Sequence, residues 1–315
     1  MFYNISIIIP FFNASKLLNE SIRNSKKIVK RNSIQIIYIN NNSSDISHYK
    51  LLNKLKNEKD IVLLKTKKSL GMGPGIARNL GIKFAKGKNI LFLDVDDKLV
   101  LKKIDKLIKF SKNNKSNLIY LGRNLIKNKS FKNEKTSPFL KYYKKNLYKF
   151  FKESNNMCVI FVLFKKNFIK ENKLLFDKGF HEDIFFLFKS HYYNKERISY
   201  FSDIIYLKTS NKNSIIHSNL TMNHIEGMFK AWKNINLFLK KNLSTKEYKS
   251  LYPYIQYRWR GELANEYNKI INCGLKKNKI NIFLIYVIAK YKKYIFSNFK
   301  AQTNKDKIVK NLINS

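Results

Sequence analysis

The chain is poor in acid. Asp and Glu together number 21 against 63 Lys and Arg, a formal net charge of +42. That imbalance favours polyanionic partners: nucleic acid, an anionic membrane surface or phosphorylated substrates. Part of the excess is compositional, because Lys, Asn, Ile, Phe and Tyr are all abundant. Cysteine is nearly absent. Cys158 and Cys273 lie far apart and match no metal-ligand spacing, so packed thiols in a reducing compartment are expected rather than a disulfide or a zinc site. Long apolar runs are missing too. The longest, Ile282 to Ala289, falls far short of the roughly 20 residues that span a bilayer. The N-terminus enters Ile5-Ser6-Ile7-Ile8-Ile9 with neither a basic stretch nor a small-residue cleavage site, so no signal peptide and a cytoplasmic chain are expected.

What is present is a globular composition, 44% hydrophobic and 14% aromatic, in a chain long enough for one large domain or two. Apolar runs at residues 4 to 9, 34 to 39, 61 to 64, 90 to 93 and 118 to 121 predict strands. Between them lie a helix capped by Ser15, a second capped by Asp45 with Tyr49, Leu52 and Leu55 on its apolar face, a third ending at Gly87, and a Lys-rich helix near 101 to 112. This βα alternation predicts a parallel sheet with helices on both faces. Residues 123 to 136 read as a polar loop, Cys158 to Phe164 as a strand, and Asn167 to Asn172 as a helix. From Met222 onward come two helical stripes: Met222, Ile225, Phe229, Trp232, Ile235 and Leu239, then Ile255, Trp259, Leu263, Tyr267 and Ile270.

The chemistry concentrates where Ile90-Leu91-Phe92-Leu93 ends in Asp94-Val95-Asp96-Asp97. Three acids closing a buried strand cannot be core, because unpaired buried charge is costly, so all three are expected to face a crevice. In open α/β sheets the carboxyl ends of strands line the ligand crevice. Carboxylates there suit Mg²⁺ or Mn²⁺ shared with substrate phosphates. Gly71-Met72-Gly73-Pro74-Gly75 with Arg78 has two readings. It is either a turn with a surface arginine, or a place where backbone approaches a ligand and Arg78 points at phosphate or base. Glu182-Asp183, after a loop and at a helix start, is either an N-terminal cap or a catalytic carboxylate pair.

The order of these motifs is more informative than any one. Ser6-Ile7-Ile8-Ile9-Pro10-Phe11-Phe12-Asn13, the Asn-Ser-Ser-Asp turn, Gly-Pro-Gly-Ile-Ala-Arg-Asn-Leu-Gly-Ile and Phe-Leu-Asp-Val-Asp-Asp resemble family-2 inverting glycosyltransferases of the GT-A fold. The likeness is close over residues 4 to about 121. It runs more loosely to about 217, through Leu163-Phe164-Lys165-Lys166, Phe176-Asp177 and Glu182-Asp183. It implies a GT-A α/β domain (Rossmann-like, mostly parallel sheet) over 1–218, with a nucleotide-binding half at 1–121 and an acceptor half at 122–218. A mainly helical region then occupies 219–315. The resemblance places Pro10, Phe12 and Asn13 on the uracil side of a UDP-sugar, Asn41 at the base, and Arg78 near the diphosphate. Asp94, Val95 and Asp96 form the Asp-x-Asp motif for ribose and metal, with Asp96 then Asp94 as ligands to Mn²⁺ or Mg²⁺. Asp183 is the general base, with Glu182 in reserve; Asp97 receives no role beyond capping the next element of the chain.

One departure matters. Asn40 and Asn41 stand where the family usually carries acids, although an Asn carbonyl still accepts a hydrogen bond from uracil N3–H. His181 adjoins the expected base, and His217 is a candidate contributor to the metal. Lysines at 276–279 and 290–293 bracket the apolar run from Ile282, a pattern that suits either a helix lying on anionic lipid or a packed helix with a basic outer face. The resulting expectation is an inverting, metal-dependent transfer of one sugar from a UDP-sugar to a glycan acceptor. The acceptor would be a bacterial lipooligosaccharide or capsule, possibly lipid-linked, at the cytoplasmic face of the inner membrane, with no specific nucleic acid bound. The rivals are a non-enzymatic polyanion-binding or nucleic-acid-binding protein and an inactive homologue.

Overall fold

The fold comes from a computed structural model and is described for residues 2–30, 33–45, 53, 55, 58–67, 73–127, 130–134, 147, 151, 158–194, 198–209, 222–272 and 307. The chain divides into two compact units, Met1–Lys144 with Asn156–Ser214, and Lys145–Asn155 with Ile215–Ser315.

In the first unit β1 (Ile5–Phe11) leads through α1 (Ser15–Val29) to β2 (Ile34–Asn40) and β3 (Ile61–Lys65). Next come α2 (Gly75–Phe84), β4 (Asn89–Phe92), β5 (Lys98–Leu99), α3 (Leu101–Lys112), β6 (Leu118–Lys127) and β7 (Ser130–Glu134). A 3₁₀ turn at Val159–Phe161 opens into β8 (Val162–Lys165), α4 (Lys166–Glu171), α5 (Glu182–Tyr193) and β9 (Ser199–Thr209). Among the described residues one nine-stranded sheet runs β3-β2-β1-β4-β8-β6-β9-β5, with β7 paired to β6. β3, β2, β1 and β4 are parallel. β8 is antiparallel to both β4 and β6, and β9 is parallel to β6. The carboxyl ends of β1, β2, β4, β6 and β9 therefore share one edge, and that edge positions the site.

The central strands β1, β2 and β4 are buried along their whole length because both faces are covered. Tyr38 turns to α1, its hydroxyl bonded to Ser21 and Ser25 at 2.7 Å. The next residue, Ile39, turns to α2, where Gly81 packs on Ile8 and Ile39. Successive strand side chains alternate faces, so α1 and α2 lie on opposite sides of the sheet.

Several expectations need correction. Ser15 is the first residue of α1 and not its cap; Ala14 holds that position. The polar stretch from 123 is not a loop, since β6 continues to Lys127 and turns back as β7. Pairing of Gly122–Ile126 with β9 supplies the backbone bonds that a polar sequence did not advertise. Cys158–Phe164 begins as a tight turn, with Phe161 N–H donating to the Cys158 carbonyl, before β8 starts. The two-residue β5 and the whole of β9 were not anticipated. The helix beyond Asp45, with Tyr49 and Leu52, lies outside the described residues, as do Leu70–Met72, His217, Cys273 and the segment from Lys276 to Phe296.

In the second unit α6 (Met222–Asn242) and α7 (Thr245–Asn272) form a helical pair. Phe229, Trp232, Ile235 and Leu239 of the first stripe are buried, as are Ile255, Trp259 and Leu263 of the second. Phe229 meets Trp259 at 5.4 Å between centroids, and Phe151 packs on Trp232 at 6.0 Å. Ser244 and Glu247 make a reciprocal capping box at the start of α7. No described helix is long and apolar enough to cross a membrane.

Candidate active site

The strand ends are knitted together by asparagines. Asn13, left-handed at φ 44°, accepts the Ser44 N–H at 3.1 Å, while its own N–H donates to Ser43 Oγ at 3.0 Å. Asn40 Oδ1 accepts the Ser43 N–H at 2.7 Å. Asn41 donates from Nδ2 to the Gly73 carbonyl at 3.0 Å and accepts the Thr66 hydroxyl at 3.4 Å. An aspartate at 41 would oppose the Gly73 carbonyl, so the amide suits this neighbour. Pro10 is buried in β1, and Phe12 stands 59% exposed at the edge, its ring open to a flat ligand.

Arg78 is the hub. Its guanidinium is buried and donates to Glu182 Oε1 at 2.5 Å and to Asp94 Oδ1 at 3.0 Å. Phe176 and Phe92 face it at 5.6 and 5.9 Å. One fixed cationic fork thus joins the end of β4 to the start of α5. Arg78 is therefore not a surface arginine: it is buried, and its two ends are engaged by carboxylates.

The glycines have a protein partner. A Cβ on Gly73 would lie 2.1 Å from the Gly179 carbonyl oxygen, and one on Gly75 would lie 2.3 Å from that of Asp177. Asn79 completes the junction, donating to the Phe176 carbonyl and accepting its N–H, both at 2.9 Å. The segment from Gly73 to Asn79 therefore carries the loop that delivers Glu182 and Asp183. Gly73→Ala, at φ 87°, is expected to cost about 1–3 kcal/mol. Because the displaced loop leads into α5, any catalysis by Glu182 and Asp183 should fall further than thermal stability predicts. A melting curve and a rate measured on the same sample check this.

α5 starts at Glu182, directly after His181 in the left-handed conformation, so both acids occupy its first turn. Burial pushes the Glu182 carboxyl up to about 8 against the opposing pull of Arg78. Burial also raises Asp183, whose carboxylate accepts the Val159 N–H, again against Arg78. A half-buried carboxylate with a raised pKa is suited to take a proton near neutrality.

At the other end of the Arg78 bridge, Asp94, Val95 and Asp96 are half-buried, with Val95 against the core. Asp96 is raised by burial and by the charge of Asp94. Asp97 departs from the expectation that all three acids stay out of the core. It is buried, accepting the Tyr206 hydroxyl at 2.6 Å and the Thr209 N–H at 2.7 Å, and caps no helix. Burial, then Asp94, pushes it up to about 8. An acid can sit in the core here because it is hydrogen-bonded and holds its proton more tightly than usual. Among the described residues no group of three or more His, Cys, Asp or Glu could hold a metal unaided. The Asp94–Asp96 pair, whose mutual repulsion raises Asp96, fits a hard divalent cation completed by phosphate oxygens.

The structure thus brings Arg78, Asp94, Asp96, Glu182 and Asp183 together. Phe12, Asn13 and Asn41 lie along the same sheet edge through the strand ends and the Gly73 bond. Asn79, Tyr206 and Lys208 escaped the sequence reading. Asn79 lay inside the Gly-Pro-Gly-Ile-Ala-Arg-Asn motif; the others depend on pairings between distant strands.

A model of glycosyl transferase family 2 matches residues 6–171. The chain is 27% identical over 294 residues to poly(ribitol-phosphate) beta-N-acetylglucosaminyltransferase TarP of Staphylococcus aureus strain N315, covering 90% of this chain and 84% of that one. It is 30% identical over 184 residues to a poly(ribitol-phosphate) beta-glucosyltransferase of Bacillus spizizenii strain W23, covering 55% of this chain and only 26% of the relative. The crystal structure of S. aureus TarS 1–349 in complex with UDP-GlcNAc superposes with a TM-score of 0.69 at 17% identity, over 93% of this chain and 82% of that one. The fold is the expected GT-A fold, and with the family model spanning over half of its length the chain belongs to glycosyl transferase family 2.

Proposed function

We propose that the chain is an inverting, divalent-cation-dependent enzyme that moves one sugar from a UDP-sugar to a phosphate-bearing bacterial surface glycan. The observation that carries this reading is the Arg78 bridge, which fixes the Asp94 turn and the Glu182–Asp183 helix start on either side of one guanidinium. Asp183 takes the proton of an acceptor hydroxyl as that oxygen bonds to the anomeric carbon. The bond from that carbon to the diphosphate oxygen breaks on the opposite face, and the electron pair leaves with UDP. Asp96 and Asp94 would hold Mn²⁺ or Mg²⁺, which supplies charge to the departing diphosphate. Phe12 is available to the uracil face, and Asn41 stands beside it at the neighbouring strand end. Glu182, tied to Arg78, holds Asp183 in place.

Two observations support the acceptor class. Both TarP and the Bacillus relative are named for poly(ribitol-phosphate), a polyanion. The +42 charge of this chain is complementary to such a polymer. A panel of UDP-sugars, assayed for hydrolysis and for transfer to phosphate-bearing and neutral glycans, tests the proposal. Turnover should vanish with chelator, return with Mn²⁺, and fall at least about a hundredfold in Asp96→Ala. Chelator-insensitive turnover, or the absence of any UDP-sugar binding, contradicts it.

A further inference from the structure

Lys208 belongs neither to the Arg78 bridge nor to the acid pairs, yet the fold delivers it to the same edge of the sheet. β9 runs in the same direction as β4, so its last residues emerge at the same edge as Asp94. Tyr206 and Lys208 are two apart on that strand and share a face. The Phe161 ring confirms this, meeting Tyr206 at 5.1 Å and the Lys208 ammonium at 5.7 Å. The strand end is pinned. Asp97 accepts the Tyr206 hydroxyl and the Thr209 N–H, one bond on each side of Lys208, and the Asp94 N–H reaches the same Tyr206 oxygen at 3.4 Å. The half-buried ammonium therefore emerges at the sheet edge that carries Asp94 and Asp96, within electrostatic reach of Cys158, Asp94, Asp97 and Asp96.

We propose that Lys208 is a diphosphate-binding residue, held by the Asp97–Tyr206–Thr209 clamp so that its ammonium bonds a phosphate oxygen of the donor as the sugar departs. This rests on the UDP-sugar reading and deepens it. A lysine is suited to the task because its compact, rotatable charge can track the diphosphate as negative charge accumulates on it. Asp97 and Tyr206 act through Lys208 and the turn; they are positioning residues.

The test separates the diphosphate from the rest of the nucleotide. In Lys208→Gln, calorimetric affinity for UDP with Mn²⁺ should fall about 10- to 100-fold, the loss of one charged hydrogen bond, while affinity for uridine stays within about twofold. Lys208→Arg should recover most of the loss. On the wild-type protein, UDP with Mn²⁺ should shield Lys208 from amine acylation, read by peptide mass spectrometry, and uridine should not. That arm needs no variant to fold. Unchanged or tighter UDP binding in Lys208→Gln, or acylation of Lys208 unaffected by UDP, overturns the proposal and leaves Lys208 as a neutraliser of the acids. A wild-type protein that binds neither UDP nor any UDP-sugar removes both this inference and the reading beneath it.

Discussion

Asp183→Asn is expected to lower transfer by about 10²–10⁴-fold while leaving donor binding intact. On the proposed function the substitution removes only the proton acceptor. The Asn carbonyl can still accept the Val159 N–H that Asp183 accepts, so the start of α5 keeps its anchor. In the wild type the acidic limb of the rate profile should lie above the usual aspartate range, because burial raises Asp183 more than Arg78 lowers it. In Asp183→Asn that limb should disappear from the residual rate. Rates measured at saturating donor across a pH series check both statements. A residual rate that keeps the wild-type limb would mean another group is the base.

Arg78→Met is expected to destabilise the protein by about 3–5 kcal/mol, read by denaturant unfolding. The guanidinium is buried, and its loss strands Glu182 and Asp94 in a site that also holds Asp183. The sign of the pH dependence is fixed. Glu182 has an ordinary value of 4.5 and a folded value of about 8, so the wild type loses this carboxyl's contribution as pH rises from the first to the second. Without Arg78 the folded values of Glu182 and Asp183 climb further, so the deficit of the variant should be larger at pH 9 than at pH 5. Arg78→Lys should recover little, since a single ammonium cannot span both carboxylates in the geometry of the fork. A pH-independent deficit would mean that the aromatic packing of Phe92 and Phe176, not the charges, sets the cost.

The legible part of the site was the part written in contiguous residues. A buried strand ending in Asp94, Val95 and Asp96 declares itself, because no core tolerates that sequence unaided, and the acids Glu182 and Asp183 stand out in a basic chain. Gly73 and Gly75 were visible but their partner was not. Their missing side chains make room for the backbone of Asp177 and Gly179, about a hundred residues away, and nothing in the local pattern says so. Asp97 was misjudged for the same reason. Its partners Tyr206 and Thr209 sit on β9, a strand whose polar and apolar residues keep no clean alternation and which exists by pairing with β6 and β5. Lys208 became visible only once that strand's direction was known. In the second unit the helical stripes were readable from period alone, and the capping box at Ser244 lay in the sequence unremarked.

The proposed function assigns the donor to Asp94 and Asp96 and the base to Asp183. Calorimetric titration of a UDP-sugar with Mn²⁺ into wild type, Asp96→Ala and Asp183→Asn tests that division most directly. The predicted result is equal affinity for wild type and Asp183→Asn, with binding lost in Asp96→Ala. Loss of binding in Asp183→Asn with Asp96→Ala unaffected would contradict it.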